Sequence, residues 1–157
     1  MYVRIRICDC SACRMSIGGG AITDFCKIDM RCHAGLNIDG GMLGQYQLLP
    51  LLRPFLGLIH AENQKFNDYL LLASQNDYYE VLVKGAQHPD FCDLSFLAPG
   101  MKRLKINGSI DAGRVVEIAN VVALRFFDAY LRDGQKPRFD PEQFPELQVR
   151  MNFFARE

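Results

Sequence analysis

Met15-Ser16-Ile17-Gly18-Gly19 sets a serine hydroxyl just ahead of a helix-like stretch. Working outward, Ala34-Gly35-Leu36-Asn37-Ile38 is an apolar run that ends on Asp39 and is followed by Gly40-Gly41. A later run, Tyr79-Glu80-Val81-Leu82-Val83, leads into Gly85-Ala86-Gln87-His88-Pro89-Asp90-Phe91. A nucleophile, an acid and a base thus follow in chain order, each past the end of a predicted strand. Residues at such positions converge on one edge of a parallel sheet.

The elements between these stretches alternate. Residues 3–7 (Val-Arg-Ile-Arg-Ile) have the period of a strand with one polar face, and a Cys-rich stretch of no clear shape follows. A helix is predicted over 18–29, with Ile22, Phe25, Cys26 and Ile28 for its buried side. Short buried strands are predicted over 32–38, 55–59 and 78–83, with a loop over 40–54 and a helix over 62–72. The last helix is the clearest: Val115, Ile118, Ala119, Val122, Ala123, Phe126, Phe127 and Tyr130 recur at helical spacing. Asp111 suits its N-cap and Gly134 its stop. From Lys136 the chain has prolines at 137, 141 and 145 and is expected to run over the surface. Strands alternating with helices predict an α/β fold, a mostly parallel sheet with helices on both faces.

At 157 residues the chain is long enough for one domain with a real core. Its zero net charge gives no reason to expect nucleic acid or an anionic membrane as partner. No apolar run reaches a membrane span, and Met1-Tyr2-Val3-Arg4-Ile5-Arg6-Ile7 lacks the apolar stretch of a signal peptide, so a cytoplasmic location is the default expectation, and a secreted one if a longer parent carries a signal. Six cysteines stand at 8, 10, 13, 26, 32 and 92. Cys26, Cys32 and Cys92 fall in regular patterns and are expected as buried, reduced thiols. Cys10-Ser11-Ala12-Cys13 matches C-x-x-C, but no second such pair and no His pair at ligand spacing completes a zinc or redox site. Neither a metal nor a cofactor is expected.

A serine hydroxyl becomes a nucleophile only when a base takes its proton and an acid holds that base in the right tautomer. Ser16 fits the first role, because small Gly18 and Gly19 permit a sharp strand-to-helix turn. His88 fits the base and Asp39 the acid. The N–H of Ile17 would then face a developing oxyanion. Taken singly, each residue is more often a helix start, a turn residue or a loop residue; the order of the three carries the reading. His33 sits at a strand start and His60 follows Ile59 one strand too early for the base. Asp90 and Asp93 lie beside His88 and suit capping and turn formation better than the acid's role.

Met15-Ser16-Ile17-Gly18-Gly19, Asn37-Ile38-Asp39-Gly40, His88-Pro89-Asp90-Phe91-Cys92-Asp93 and Phe126-Phe127-Asp128-Ala129-Tyr130-Leu131 together resemble the platelet-activating factor acetylhydrolase type of α/β-hydrolase. The 23-residue step from Ser16 to Asp39 also suits that family. The resemblance implies a carboxylic ester hydrolase that works through an acyl-serine, without calcium or a cofactor. It implies small esters, or phospholipids with short or oxidised sn-2 chains, as substrates.

The same resemblance divides the chain into an atypical segment over 1–14, the C-terminal half of a hydrolase domain over 15–134 and a surface tail over 135–157. The family's first strands, and the loop with the second oxyanion donor, have no counterpart in the sequence. An unpaired sheet edge is therefore expected, with marginal stability or self-association through it. Arg14 stands where the family has the first glycine of G-x-S-x-G, and a bulky cation there is expected to open the turn or block the approach to the helix. Two other readings remain: a catalytically inactive remnant or interaction module, and a thiol or metal protein built on Cys8, Cys10 and Cys13. Met42, Leu43, Leu48 and Leu49 either line an acyl pocket or are plain core.

Overall fold

The computed structural model describes residues 10–41, 46, 48–97, 106–133, 135–140 and 142–153. Five strands form one sheet in the order β1-β2-β3-β4-β5: β1 Cys10–Met15, β2 Cys32–Ile38, β3 Phe55–Ile59, β4 Tyr78–Val83 and β5 Leu147–Asn152. The first four run parallel, and β5 pairs antiparallel with β4. Helix α1 is Ile17–Ile28, α2 is Gln64–Ala73, α3 is the short Leu94–Leu97 and α4 is Ala112–Asp128.

Alternation along the strands builds two cores. Ala34 and Leu36, Leu56 and Leu58, then Tyr79, Val81 and Val83 face α4, where Val115, Ile118, Val122 and Phe126 are buried against them. On the opposite face Phe55 and Tyr78 pack with Cys26 of α1, Leu70 of α2 and Leu51. Helices thus cover both faces, as the sequence predicts. Asp111 caps α4 by accepting the Arg114 N–H at 3.2 Å, and the helix passes at Ala129 into a π-type turn. Gly134, the expected stop, lies outside the described residues.

Several expectations are corrected. The segment over 135–157 is no simple surface tail: it carries β5, buries Phe144 and Leu147, and lays Phe139 and Phe153 edge-on against Tyr79. The segment over 1–14 contributes β1, so a strand does lead into Ser16. Cys26 and Cys32 are not reduced thiols; they form a disulfide that ties the end of α1 to the start of β2. Cys92 is free and only half-buried. Ile28 is exposed, and so are Leu48 and Leu49, which excludes those two from the core. Val3, Ile5, Cys8, Met42 and Leu43 lie outside the described residues.

One polar group in the sheet departs from the apolar pattern. Glu80, in the middle of β4, is fully buried yet charged. Arg150 on β5 grips it with both guanidinium arms, at 2.7 and 2.8 Å, and Gln64 of α2 donates to it at 2.9 Å. These bonds hold Arg150's guanidinium pKa above its usual value. Removing one partner of such a pair strands a buried charge. Arg150→Leu is therefore expected to cost about 3 kcal/mol. Arg132→Ala, which breaks an exposed pair with Asp128 on the protein surface, should cost less than about 1 kcal/mol. Urea denaturation of the two variants measures the difference.

Candidate active site

The parallel register brings the ends of β1, β2 and β4 to one edge of the sheet. Met15 pairs with Ile38, so Ser16 and Asp39 emerge side by side. Ser16 has φ 57° and ψ −130°, a backbone conformation costly to an L residue. Bonds on both sides hold it there. Its N–H donates to Ile38 O at 2.9 Å, and its carbonyl accepts from the N–H groups of Gly19 and Gly20 at 2.9 and 3.2 Å. The turn delivers the hydroxyl to the N-terminus of α1, where first-turn N–H groups have no intrahelical acceptor.

Arg14 does not open this turn. Gly18 lacks a Cβ where the Arg14 side chain passes; one built there would stand 3.1 Å from Arg14 Cβ. The room left by the glycine two residues after the serine accommodates the bulk two residues before it, and the guanidinium reaches outward to Cys13 O at 3.2 Å.

Asp39 is held as firmly. It has φ 54°, a left-handed conformation that Asp tolerates better than most residues. Its N–H donates to Leu58 O at 2.8 Å. Asn37, fully buried, ties the turn together: its Oδ1 accepts from Gly40 N–H at 2.7 Å, and its Nδ2 donates to Gly40 O and Thr23 Oγ1. Gly40 must be glycine, since a Cβ would stand 2.3 Å from Ser16 O.

His88 closes the set. It opens a short 3₁₀ turn, His88–Phe91, beyond β4. Its Nδ1 lies 2.6 Å from Asp39 Oδ2 and its Nε2 lies 3.0 Å from Ser16 Oγ. An ionised carboxylate only accepts, so Nδ1 carries the proton and Nε2 is left to accept from the serine. Ser16, His88 and Asp39 are thus brought together as one hydrogen-bonded chain. Asp39 is fully buried, whereas the His88 side chain is 44% exposed. The imidazole is thus open to solvent while its acid partner is not.

Asp90 does not join the chain. Its Oδ2 accepts from Gln87 N–H at 2.8 Å and Gly108 N–H at 2.7 Å, and its Oδ1 from Ser95 Oγ at 3.0 Å. It is the brace of the loop that carries His88, in the capping role its position predicts. Two residues went unrecognised in the sequence. His60, just past β3, sets its Nδ1 2.8 Å from both oxygens of Asp39 and donates its N–H to Oδ1 at 3.0 Å. Asn63 donates its Nδ2 to the same oxygen at 3.1 Å. Both follow a strand end, as Ser16, Asp39 and His88 do, and that was the available signal.

Cys13 stands on β1, where burial pushes its thiol pKa up, against the opposing charge of Arg14. A reactive thiol needs the reverse shift. Among the described residues no group of three or more His, Cys, Asp or Glu side chains suits a metal ion. No helix among them is long and apolar enough to cross a membrane.

No protein-family model matches the chain, and no curated protein sequence does. Among solved structures, the chain is similar to a ferulic acid esterase from Streptomyces cinnamoneus, with a TM-score of 0.73 and 21% identity over 87% of this chain. The match covers 45% of the esterase, so the chain spans about half the length of that structure. The likeness establishes the fold, a mostly parallel α/β sheet of the kind that esterase has.

Losing Asp90's acceptors should loosen the His88 loop. Asp90→Ala is expected to cost about 2–4 kcal/mol, because two backbone N–H groups lose their partner. Chemical denaturation reads the loss, and faster amide exchange at Gly108 would place it in this loop.

Proposed function

We propose that the chain is a serine-dependent carboxylic ester hydrolase. The observation that carries the reading is the continuous chain from Ser16 Oγ through His88 to Asp39, at 3.0 and 2.6 Å, on a serine held at positive φ. Ser16 Oγ attacks the acyl carbon while its proton passes to His88 Nε2. The negative oxygen that forms is met by the Ile17 N–H at the start of α1. Asp39 stabilises the imidazolium without taking its proton. His88 then protonates the departing alcohol, leaving an acyl-serine. Water, deprotonated by His88, attacks the acyl carbon, and the acid leaves with Ser16 restored.

The open position of His88 and the exposed Ile17 favour small esters that approach from solvent. Short-chain acyl esters, and phospholipids with short or oxidised sn-2 chains, are the substrate classes we propose. The acid's place after the strand next to the serine supports the platelet-activating factor acetylhydrolase type. Ile17 is the one oxyanion donor that the resemblance carries over, and where the second is missing turnover is expected to fall by about 10²–10³-fold.

A second reading has its own observation. Among the described residues β1 pairs on one side only, with β2. A strand edge of this kind invites strand addition, and a second copy of this chain is the proposed occupant. A monodisperse monomer in sedimentation equilibrium would remove that reading.

Fluorophosphonate labelling and p-nitrophenyl acetate turnover test the main reading. Labelling should occur and should vanish in Ser16→Ala. Asp39→Asn, which favours the wrong imidazole tautomer, should lower kcat by about 10⁴-fold. A folded wild-type protein that takes no label would overturn the hydrolase reading and favour an inactive remnant.

A further inference from the structure

The proposed reaction employs one imidazole on Asp39, but the carboxylate holds two. Oδ1 accepts from His60 N–H, His60 Nδ1–H and Asn63 Nδ2 at 3.0, 2.8 and 3.1 Å. Oδ2 accepts from His88 at 2.6 Å and shares the His60 proton at 2.8 Å. The two rings stand side by side on the carboxylate, their centroids 6.4 Å apart and their planes tilted by 57°. His60 bonds through Nδ1 to the acid and not to Ser16, so it is no alternative base.

We propose that His60 is a positioning residue: it locks the rotation of the Asp39 carboxylate so that Oδ2 faces His88. The terminal torsion of a carboxylate is soft and two-fold. The His60 backbone N–H and Asn63 Nδ2 hold Oδ1 from one side only, and the ring adds the one bond on this side that also reaches Oδ2. The His60 ring bonds both oxygens at once, and its own backbone is anchored by the N–H bond to Oδ1. Its side chain is mostly buried, so it also keeps water from the carboxylate and preserves the pull of Asp39 on His88. The effect on turnover rests on the ester-hydrolase reading; the orientation of Asp39 does not.

The test compares wild type with His60→Leu, which removes the ring donor, keeps apolar bulk and leaves the backbone N–H and Asn63 on Oδ1, and His60→Asn, whose side-chain NH₂ falls close to the place of Nδ1. His60→Leu should lower kcat for p-nitrophenyl acetate by up to about 10²-fold with little change in KM. His60→Asn should restore kcat to within several-fold of wild type. In the proton NMR spectrum, the low-field His88 Nδ1–H resonance should be sharp in wild type and His60→Asn. In His60→Leu it should move upfield or exchange away. Unchanged kcat and resonance in His60→Leu, or a His60→Asn variant as impaired as His60→Leu, would overturn the proposal. A wild type that is neither labelled nor active defeats the hydrolase reading alone, and the resonance still decides the role of His60. If His60→Leu fails to fold, ¹⁵N shifts of wild type decide, since a His60 protonated on Nε2 alone cannot donate to Asp39.

Discussion

A carboxylate taken out of water must recover its solvation from the protein, and Asp39 recovers it from the ends of two neighbouring strands. Residues His60 and Asn63 come from the end of β3, His88 from beyond β4, and Asp39 itself from the end of β2. Burying that charge unpaired would cost several kcal/mol, so the strand ends are held together by electrostatics as well as by their pairing. The same bonds decide the state of the imidazole beside the serine. Removing the negative charge would loosen the edge of the sheet and free the tautomer of His88 together.

The edge is kept rigid by backbone, and the side chains inherit that rigidity. Ser16 and Asp39 both carry positive φ, and each has its N–H locked to the neighbouring strand, to Ile38 O and Leu58 O. Strain of this kind persists only where the surroundings over-determine the conformation. Here Asn37 and Gly40 fill that role, the first by bonding across the turn, the second by leaving room for Ser16 O. The Glu80–Arg150 pair fastens β5 to the sheet, while Phe139 and Phe153 close over Tyr79.

Much of this was legible because apolar periodicity reports burial. The strands at 32–38, 55–59 and 78–83 and the face of α4 follow directly from it, and so does the order of serine, acid and base. What escaped is polar and buried, or depends on pairing. Glu80 and Asn37 are read as breaks in a pattern until their partners on other elements are known. His60 does not fit the base's place in the chain order, and position along the chain says nothing about a second ring on the same carboxylate. The strand at 147–152 alternates Leu-Gln-Val-Arg-Met-Asn, but the prolines before it argued for surface chain. The Cys26–Cys32 bridge joins a helix end to a strand start only six residues on, where regular patterns gave no reason to expect a bond.

The partition of the chemistry within the sheet follows from the same geometry. Serine, base and acid arise from the ends of β1, β2 and β4, and their hydrogen-bonded chain closes without any strand beyond β1. The proposed relay thus draws on these three strands, with the end of β3 holding the acid through His60 and Asn63. Oxyanion stabilisation is different, because its donors must surround the acyl oxygen on the side of Ser16 away from His88. On the proposed reading the Ile17 N–H is one such donor. A site built this way can have a well-oriented nucleophile and still be limited by charge stabilisation. Covalent capture of Ser16 by a fluorophosphonate and steady ester turnover are thus separable properties, the first depending more on the relay and the second more on the donors around the oxygen.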